Sequence, residues 1–123
     1  MEVKSEIFEY TWLEQNILYC EFLRSEITLE SARLALDQRM AIQEGKVVYM
    51  IVDASRVGKI SKPARDLMGS PEGYAKLHAS ALIIKSSLGK MLVNFFYKFS
   101  SPPVPSRVFN TKEEAISWIK SLA

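Results

Sequence analysis

Near the start of this chain, apolar and polar positions alternate in two successive runs. From Ile7 to Leu13, Phe8, Tyr10 and Trp12 fall on one side and Glu9 and Thr11 on the other. From Ile17 to Leu23, Leu18, Cys20 and Phe22 share a side, and Tyr19 and Glu21 take the opposite one. Period two over that length, with Glu14-Gln15-Asn16 between the runs, predicts an antiparallel hairpin.

The period then changes. Thr28 reads as the cap of a helix whose buried stripe is Leu29, Ala32, Leu36 and Met40, with Gly45 as its terminator. Val47 to Val52 is almost continuously apolar, which suits a central parallel strand covered on both faces. A second helix is predicted from about Pro63, broken near Gly69 and restarted at Ser70-Pro71. Ala79 to Lys85 reads as another central strand. Ser86 or Ser87 caps a third helix through Phe99, stopped by the proline-rich stretch that follows. Arg107-Val108-Phe109 is a brief strand. Thr111 with Glu114 forms a capping box for a last helix with Ala115, Ile119 and Leu122 on one face.

The expected order is ββαβαβαβα. This is an α/β fold with about four helices on a mixed sheet, an antiparallel hairpin at its N-terminal side and a parallel centre. No linker, repeat or low-complexity tract interrupts it, so residues 1–123 are read as a single domain.

Composition narrows the function classes. Of 123 residues, 48% are hydrophobic and 24% charged, the balance of an ordinary soluble globular domain. The formal charge of +2 is small and the basic residues are dispersed, which argues against nucleic acid. The aromatic face of Phe8, Tyr10 and Trp12 has Lys4 as its nearest basic neighbour in sequence, not the interleaved cations that single strands require. A single cysteine, Cys20, excludes an intrachain disulfide and suits a reducing compartment. With one histidine besides, the chain cannot assemble a zinc site of the usual nitrogen and sulfur ligands. The start is polar and acidic, and no apolar run approaches the ~20 residues of a membrane span, so a cytoplasmic location is expected.

Candidate chemistry concentrates between Val47 and Met68, where a hydrophobic run ends in Asp53-Ala54-Ser55 and a basic loop leads into a helix at Ser61-Lys62-Pro63. Unpaired N–H groups at a helix start, together with Arg56, Lys59, Lys62 and Arg65, favour an anion or a phosphorylated side chain. Asp53, Ser55, Lys59, Ser61 and Lys62 are the candidates for such an anion site or phospho-switch. The competing structural reading has Asp53 accepting hydrogen bonds from its turn while Ser55 and Ser61 cap backbone. A metal or phospho-aspartate role for Asp53 would require neighbouring carboxylates, and Glu21 is placed inside its strand. His78 reads as structural, Cys20 as a small hydrophobe, and no nucleophile elbow or glycine-rich phosphate cradle is present. No catalytic residue, metal or cofactor is expected.

The segment from Leu88 to Phe99 is more apolar than a sheet-covering helix requires. At 100° per residue, Leu88, Met91, Leu92, Phe95 and Phe99 form one face. Val93, Phe96 and Tyr97 extend it, leaving Lys90, Asn94 and Lys98 as a narrow polar stripe. Three covers compete: neighbouring helices or the Pro102–Pro105 loop, a second copy of the chain in a homodimer, or a small apolar, lipid-like ligand. Met91, Val93, Phe95, Phe96, Tyr97 and Phe99 are the candidate interface or ligand wall.

The order of elements, with Val47–Ser55 as the strand leading into the signature loop, resembles the STAS domains, the anti-sigma-factor antagonist fold. The closing Arg107–Leu122 is similar to the last strand and helix of a STAS-like subgroup of small bacterial proteins, often grouped with the CRAL-TRIO lipid-transfer fold. The resemblance spans nearly the whole chain and rests on topology and soft motifs. It implies that Asp53 and Ser55 match the family's Asp-x-Ser strand end. It also implies that the position phosphorylated by a partner kinase falls at about Lys62, with Ser61 one residue earlier. The family's Asp-Ser-Ser/Thr-Gly signature is replaced here by Lys59-Ile60-Ser61-Lys62-Pro63. The function expected on this basis is a non-catalytic regulatory or protein-interaction module docking through residues 53–63 and the adjoining helix. The alternative is a carrier or sensor holding an apolar ligand between helices and sheet.

Overall fold

The two alternating runs pair as expected. In the computed structural model, which describes residues 2–84 and 102–123, β2 (Phe8–Glu14) and β3 (Ile17–Phe22) form the antiparallel hairpin, with Tyr10 opposite Cys20 and Trp12 opposite Leu18. A short β1 (Glu2–Lys4), not anticipated, adds antiparallel to β2.

The β-branched run forms β5 (Val48–Asp53), which lies parallel between β3 and β7 (Leu77–Ile83). β8 (Ser106–Phe109) closes the sheet parallel to β7, giving the order β1-β2-β3-β5-β7-β8. Two further strands of two residues, β4 (Glu26–Ile27) and β6 (Lys59–Ile60), make a separate parallel ladder.

Three helices are described: α1 (Leu29–Gln43), α2 (Lys62–Met68) and α3 (Lys112–Leu122). The helix expected from Ser86 or Ser87 through Phe99 lies outside the described residues. α1 and α2 cover one face of the sheet, where Phe8, Tyr10, Leu18, Cys20 and Phe22 join Ala32, Ala35, Leu36 and Leu67 in the larger core. α3 covers the other face, setting Ala115 and Ile119 against Ile17, Tyr19, Ile51 and Ala81. The centre of the sheet is therefore buried on both sides, which is why β5 carries so few polar residues.

The caps hold. Thr28 accepts from the Ser31 N–H at 3.1 Å, and the Ser31 hydroxyl accepts from the Thr28 N–H at 2.8 Å. α1 ends on Glu44 and Gly45, both at positive φ, 50° and 82°. Ser61 caps α2 and Thr111 caps α3.

The buried face of α1 differs from the expected stripe. Leu29 is 46% exposed, and the buried residues are Ser31, Ala32, Ala35, Leu36, Arg39 and Gln43. Two long polar side chains thus occupy positions that hydrophobic periodicity assigns elsewhere. Arg39 donates to Gln43 Oε1 at 2.6 Å, to the Ala75 carbonyl at 2.9 Å and to the Gly73 carbonyl at 3.1 Å. Gln43 donates to the Lys46 and Lys76 carbonyls at 2.8 and 2.9 Å. The pair gathers the carbonyls of the turn ahead of β7, and that satisfaction is what permits their burial.

The restart expected at Ser70-Pro71 is a run of turns instead. Ser70 does cap it, accepting from the Gly73 N–H at 3.2 Å. The chain must swing into β7 within a few residues, however, and it passes through Lys76 at φ 61° to do so. On α3, Ala115 and Ile119 are buried, while Leu122 is 40% exposed at the helix end.

Candidate functional site

β3, β5 and β7 run parallel, so their C-terminal ends lie on one edge of the sheet, the edge at which open α/β folds place ligands and partners. Asp53 is the last residue of β5 and is 8% exposed. One carboxylate oxygen accepts from the Ser55 N–H at 3.0 Å, the turn contact expected of this residue. The other accepts a short hydrogen bond from the Tyr19 hydroxyl. Burial, and after it the bond to the Asp53 carboxylate, raises the Tyr19 hydroxyl well above the ordinary tyrosine range, so Tyr19 donates. Lys112, the first residue of α3, places its ammonium 4.4 Å from the centre of the Tyr19 ring.

The sequence pattern places Glu21 inside its strand and not beside Asp53 at a strand end. Glu21 is the register partner of Asp53 across β3 and β5, and its carboxylate reaches Arg56 at 3.5 Å. Register, which local periodicity does not report, brings the two acids side by side. Among the described residues, no group of three or more His, Cys, Asp or Glu side chains could hold a metal ion.

Beyond Asp53 the loop is anchored at several points. Ala54 N–H donates to the Ile83 carbonyl at 2.8 Å, joining the loop to the end of β7. Gly58 and Lys59 N–H donate to the Ser25 carbonyl at 2.8 and 3.2 Å, and Ser61 N–H donates to the Ile27 carbonyl at 3.0 Å. Ile27 and Ile60 are buried beneath this ladder.

The expected site residues are therefore neighbours in space with distinct local roles. Ser55 uses its N–H on Asp53. Lys59 lies 3.7 Å from Glu26 and is mostly exposed. The Ser61 hydroxyl accepts from the Ala64 N–H at 3.3 Å, one turn into α2. Lys62 pairs with Asp66 at 3.0 Å on the exposed side of the same helix. Arg65 donates to the Ile60 carbonyl at 3.3 Å. Met91, Val93, Phe95, Phe96, Tyr97 and Phe99 lie outside the described residues, and with them the homodimer and lipid-wall expectations.

Sequence reasoning passed over Tyr19 and Lys112 at this site. Tyr19 gave a signal, a tyrosine two residues before an acid on a strand neighbouring Asp53, but its meaning depends on knowing that β3 and β5 are adjacent and parallel. His78 is exposed and its ring packs 4.9 Å from that of Tyr49. Cys20 is buried and its thiol is pushed up to about 12, chiefly by desolvation. No described helix is long and apolar enough to cross a membrane.

Known structures share this architecture. An uncharacterized protein from the DUF3478 family, with a SpoIIAA-like fold, from Shewanella loihica PV-4 superposes with a TM-score of 0.65 at 15% identity, covering 91% of each chain. The anti-sigma factor antagonist SpoIIAA in its unphosphorylated form superposes with a TM-score of 0.61 at 19% identity, covering 92% of this chain and 97% of that one. The fold is thus SpoIIAA-like, that of the STAS domains, as the order of elements suggested. No curated protein matches the sequence. Residues 11–123 match the family model described as a domain of unknown function, DUF7793, and the chain belongs to that family.

Proposed function

We propose that this protein is a non-catalytic regulatory module that docks onto a protein partner through residues 53–63 and the adjoining α2. The SpoIIAA-like fold supports a regulatory, protein-interaction role, since one of its solved members is an anti-sigma factor antagonist. The observation that carries the reading is the way the loop is held. Its backbone is bonded to β4 and to the end of β7, while Arg56, Lys59 and Lys62 keep side-chain exposures of 60%, 75% and 75%. A fixed backbone presenting exposed cations, held only in surface ion pairs with Glu21, Glu26 and Asp66 that contribute little and exchange readily, supports docking of an acidic partner. The polar groups at Asp53 are engaged with one another instead of being aimed at a substrate.

Ser61 is the residue at which this docking would be modulated. It is partly exposed, it caps α2, and Lys59, Lys62 and Arg65 surround it in sequence. A phosphate there would add negative charge beside the helix start and reverse the sign of the surface the loop presents.

Affinity purification from the native cell tests the reading. A partner retained by the wild-type chain should be lost by the Arg56→Glu/Lys62→Glu double variant and weakened by Ser61→Asp, with thermal unfolding unchanged. Undiminished retention by the charge-reversed loop would overturn it.

A further inference from the structure

A cavity of about 120 Å³ lies between the sheet and the α1–α2 layer, on the face away from the Tyr19–Asp53 pair. Its walls are mainly apolar, with Met50, Leu36, Leu67 and Leu82 among them. The size is informative, since an engineered apolar cavity of about 150 Å³ takes up benzene.

The exception to the apolar lining is its charge. Arg39 and Arg65 both line the cavity, and no described lining residue is an aspartate or glutamate. Arg39 is 3% exposed, and neither guanidinium is within ion-pair distance of a described carboxylate. The three hydrogen bonds from Arg39 to described residues all go to neutral oxygens, those of Gln43, Ala75 and Gly73. A guanidinium has five N–H donors. Two therefore remain for an acceptor outside that set, one of them on Nε. Burial already disfavours its charged form, the largest influence lowering its pKa. A desolvated cation with spare donors at the wall of an apolar cavity is complementary to a ligand with a compact hydrophobic body and one carboxylate.

We propose that this cavity binds a small monocarboxylic acid with an apolar body of roughly benzene size, its carboxylate on Arg39 and its body against Met50, Leu36 and Leu82. The acid supplies the counter-charge that the described residues do not, and the apolar walls take its body. The site borders the docking surface through Ile60 and α2 but uses neither Asp53 nor the exposed Arg56, Lys59 and Lys62, so reversing those charges and titrating benzoate test the two readings separately.

Sodium benzoate is the probe, with benzene as its neutral counterpart. Methyl resonances of Met50 and Met68 are followed by NMR as each is titrated into the full chain. Benzoate should shift Met50 saturably in the millimolar range or below. Arg39→Met should weaken benzoate by about tenfold or more while benzene still enters, as expected on losing a charge-assisted contact. Ala35→Leu, which fills the space from α1, should abolish both. Should Arg39→Met fail to fold, Arg39→Gln, which keeps amide donors but removes the charge, and Ala35→Leu carry the test. No saturable Met50 shift with benzoate, benzoate binding unaffected by the Arg39 substitution, or shifts that survive Ala35→Leu would each overturn the proposal.

Discussion

Tyr19 and Asp53 meet on a diagonal. The backbone partner of Tyr19 across β3 and β5 is Ile51, yet its hydroxyl reaches forward along the sheet to the carboxylate two residues later. Two residues of strand advance the chain by about 6.6 Å, a span that a tyrosine side chain can cover and a serine or threonine cannot. The bond therefore ties the end of β5 to the middle of β3 and aims the Asp53 turn.

Replacing Tyr19 by Phe removes the donor from a buried carboxylate while keeping the ring against α3 and under Lys112. The expected loss is about 1–3 kcal/mol, the cost of leaving a buried acceptor short of a partner. Urea denaturation of Tyr19→Phe beside the wild type measures it, and an unchanged midpoint would mean that the bond contributes nothing net.

Alkaline pH should destabilise the fold well before the lysines lose their charge in large number. Tyr10, Tyr19 and Cys20 all have folded pKa values raised above the ordinary ones, with burial as the first cause in each. A raised folded value contributes stability that is complete below the unfolded pKa and is lost as pH climbs above it, because only the unfolded chain releases the proton. Unfolded cysteine and tyrosine titrate near 8.5 and 10. Stability should fall progressively from about pH 8.5 upward, and Cys20→Ala should delay the onset of the fall towards the tyrosine range. A series of denaturation midpoints from neutral pH to pH 11 checks both.

Gly73 sits where a side chain has no room. A Cβ built there would strike the backbone carbonyl oxygens of Met68 and Leu67 at the end of α2. Since backbone must move to admit it, Gly73→Ala should cost about 1–3 kcal/mol, the usual range for overpacking. The change should also disturb the Arg39 contact with the Gly73 carbonyl. Thermal melting of Gly73→Ala, with Gly58→Ala as a control at a glycine with open space around it, separates the steric effect from a general one.

The two-residue ladder beneath the loop should be separable from the main fold. Ile60 is 7% exposed and packs into the larger core. Ile60→Ala should cost about 2–5 kcal/mol if the cavity cannot collapse. Amide exchange at Gly58 and Ser61, whose N–H groups bond to the Ser25 and Ile27 carbonyls, should accelerate more than exchange in β5. Equal acceleration throughout would show the loop to be part of one cooperative unit.

Much of this molecule could be read from residue patterns, and the failures have physical causes. The hairpin was legible because its side chains repeat every second residue, the central strand because Val47 to Val52 is almost continuously apolar, and Thr28, Ser61 and Thr111 were legible as caps because their chemistry is local. β4 and β6 have two residues each, too few for any period to register. The inner face of α1 was read in part: Ala32 and Leu36 are buried and Met40 packs on the core, but Arg39 and Gln43 escaped notice because they are buried by what they bond to, chiefly the carbonyls of residues 73–76, which are distant in sequence. The Asp53 turn was found, but its partners Tyr19, Glu21 and Lys112 depend on the parallel register of β3 with β5 and on α3 returning across that face. Tertiary arrangement, not propensity, decides those contacts.

The pairing of β4 with β6 has a bearing on how the loop would recognise anything. A segment already stitched at Ala54, Gly58 and Ser61 has little conformational freedom left to surrender when a partner arrives. Association would then proceed as a rigid-body encounter with a small ordering penalty. A low-affinity, rapidly reversible contact could in that case remain selective, because mismatched partners could not be accommodated by rearranging the backbone.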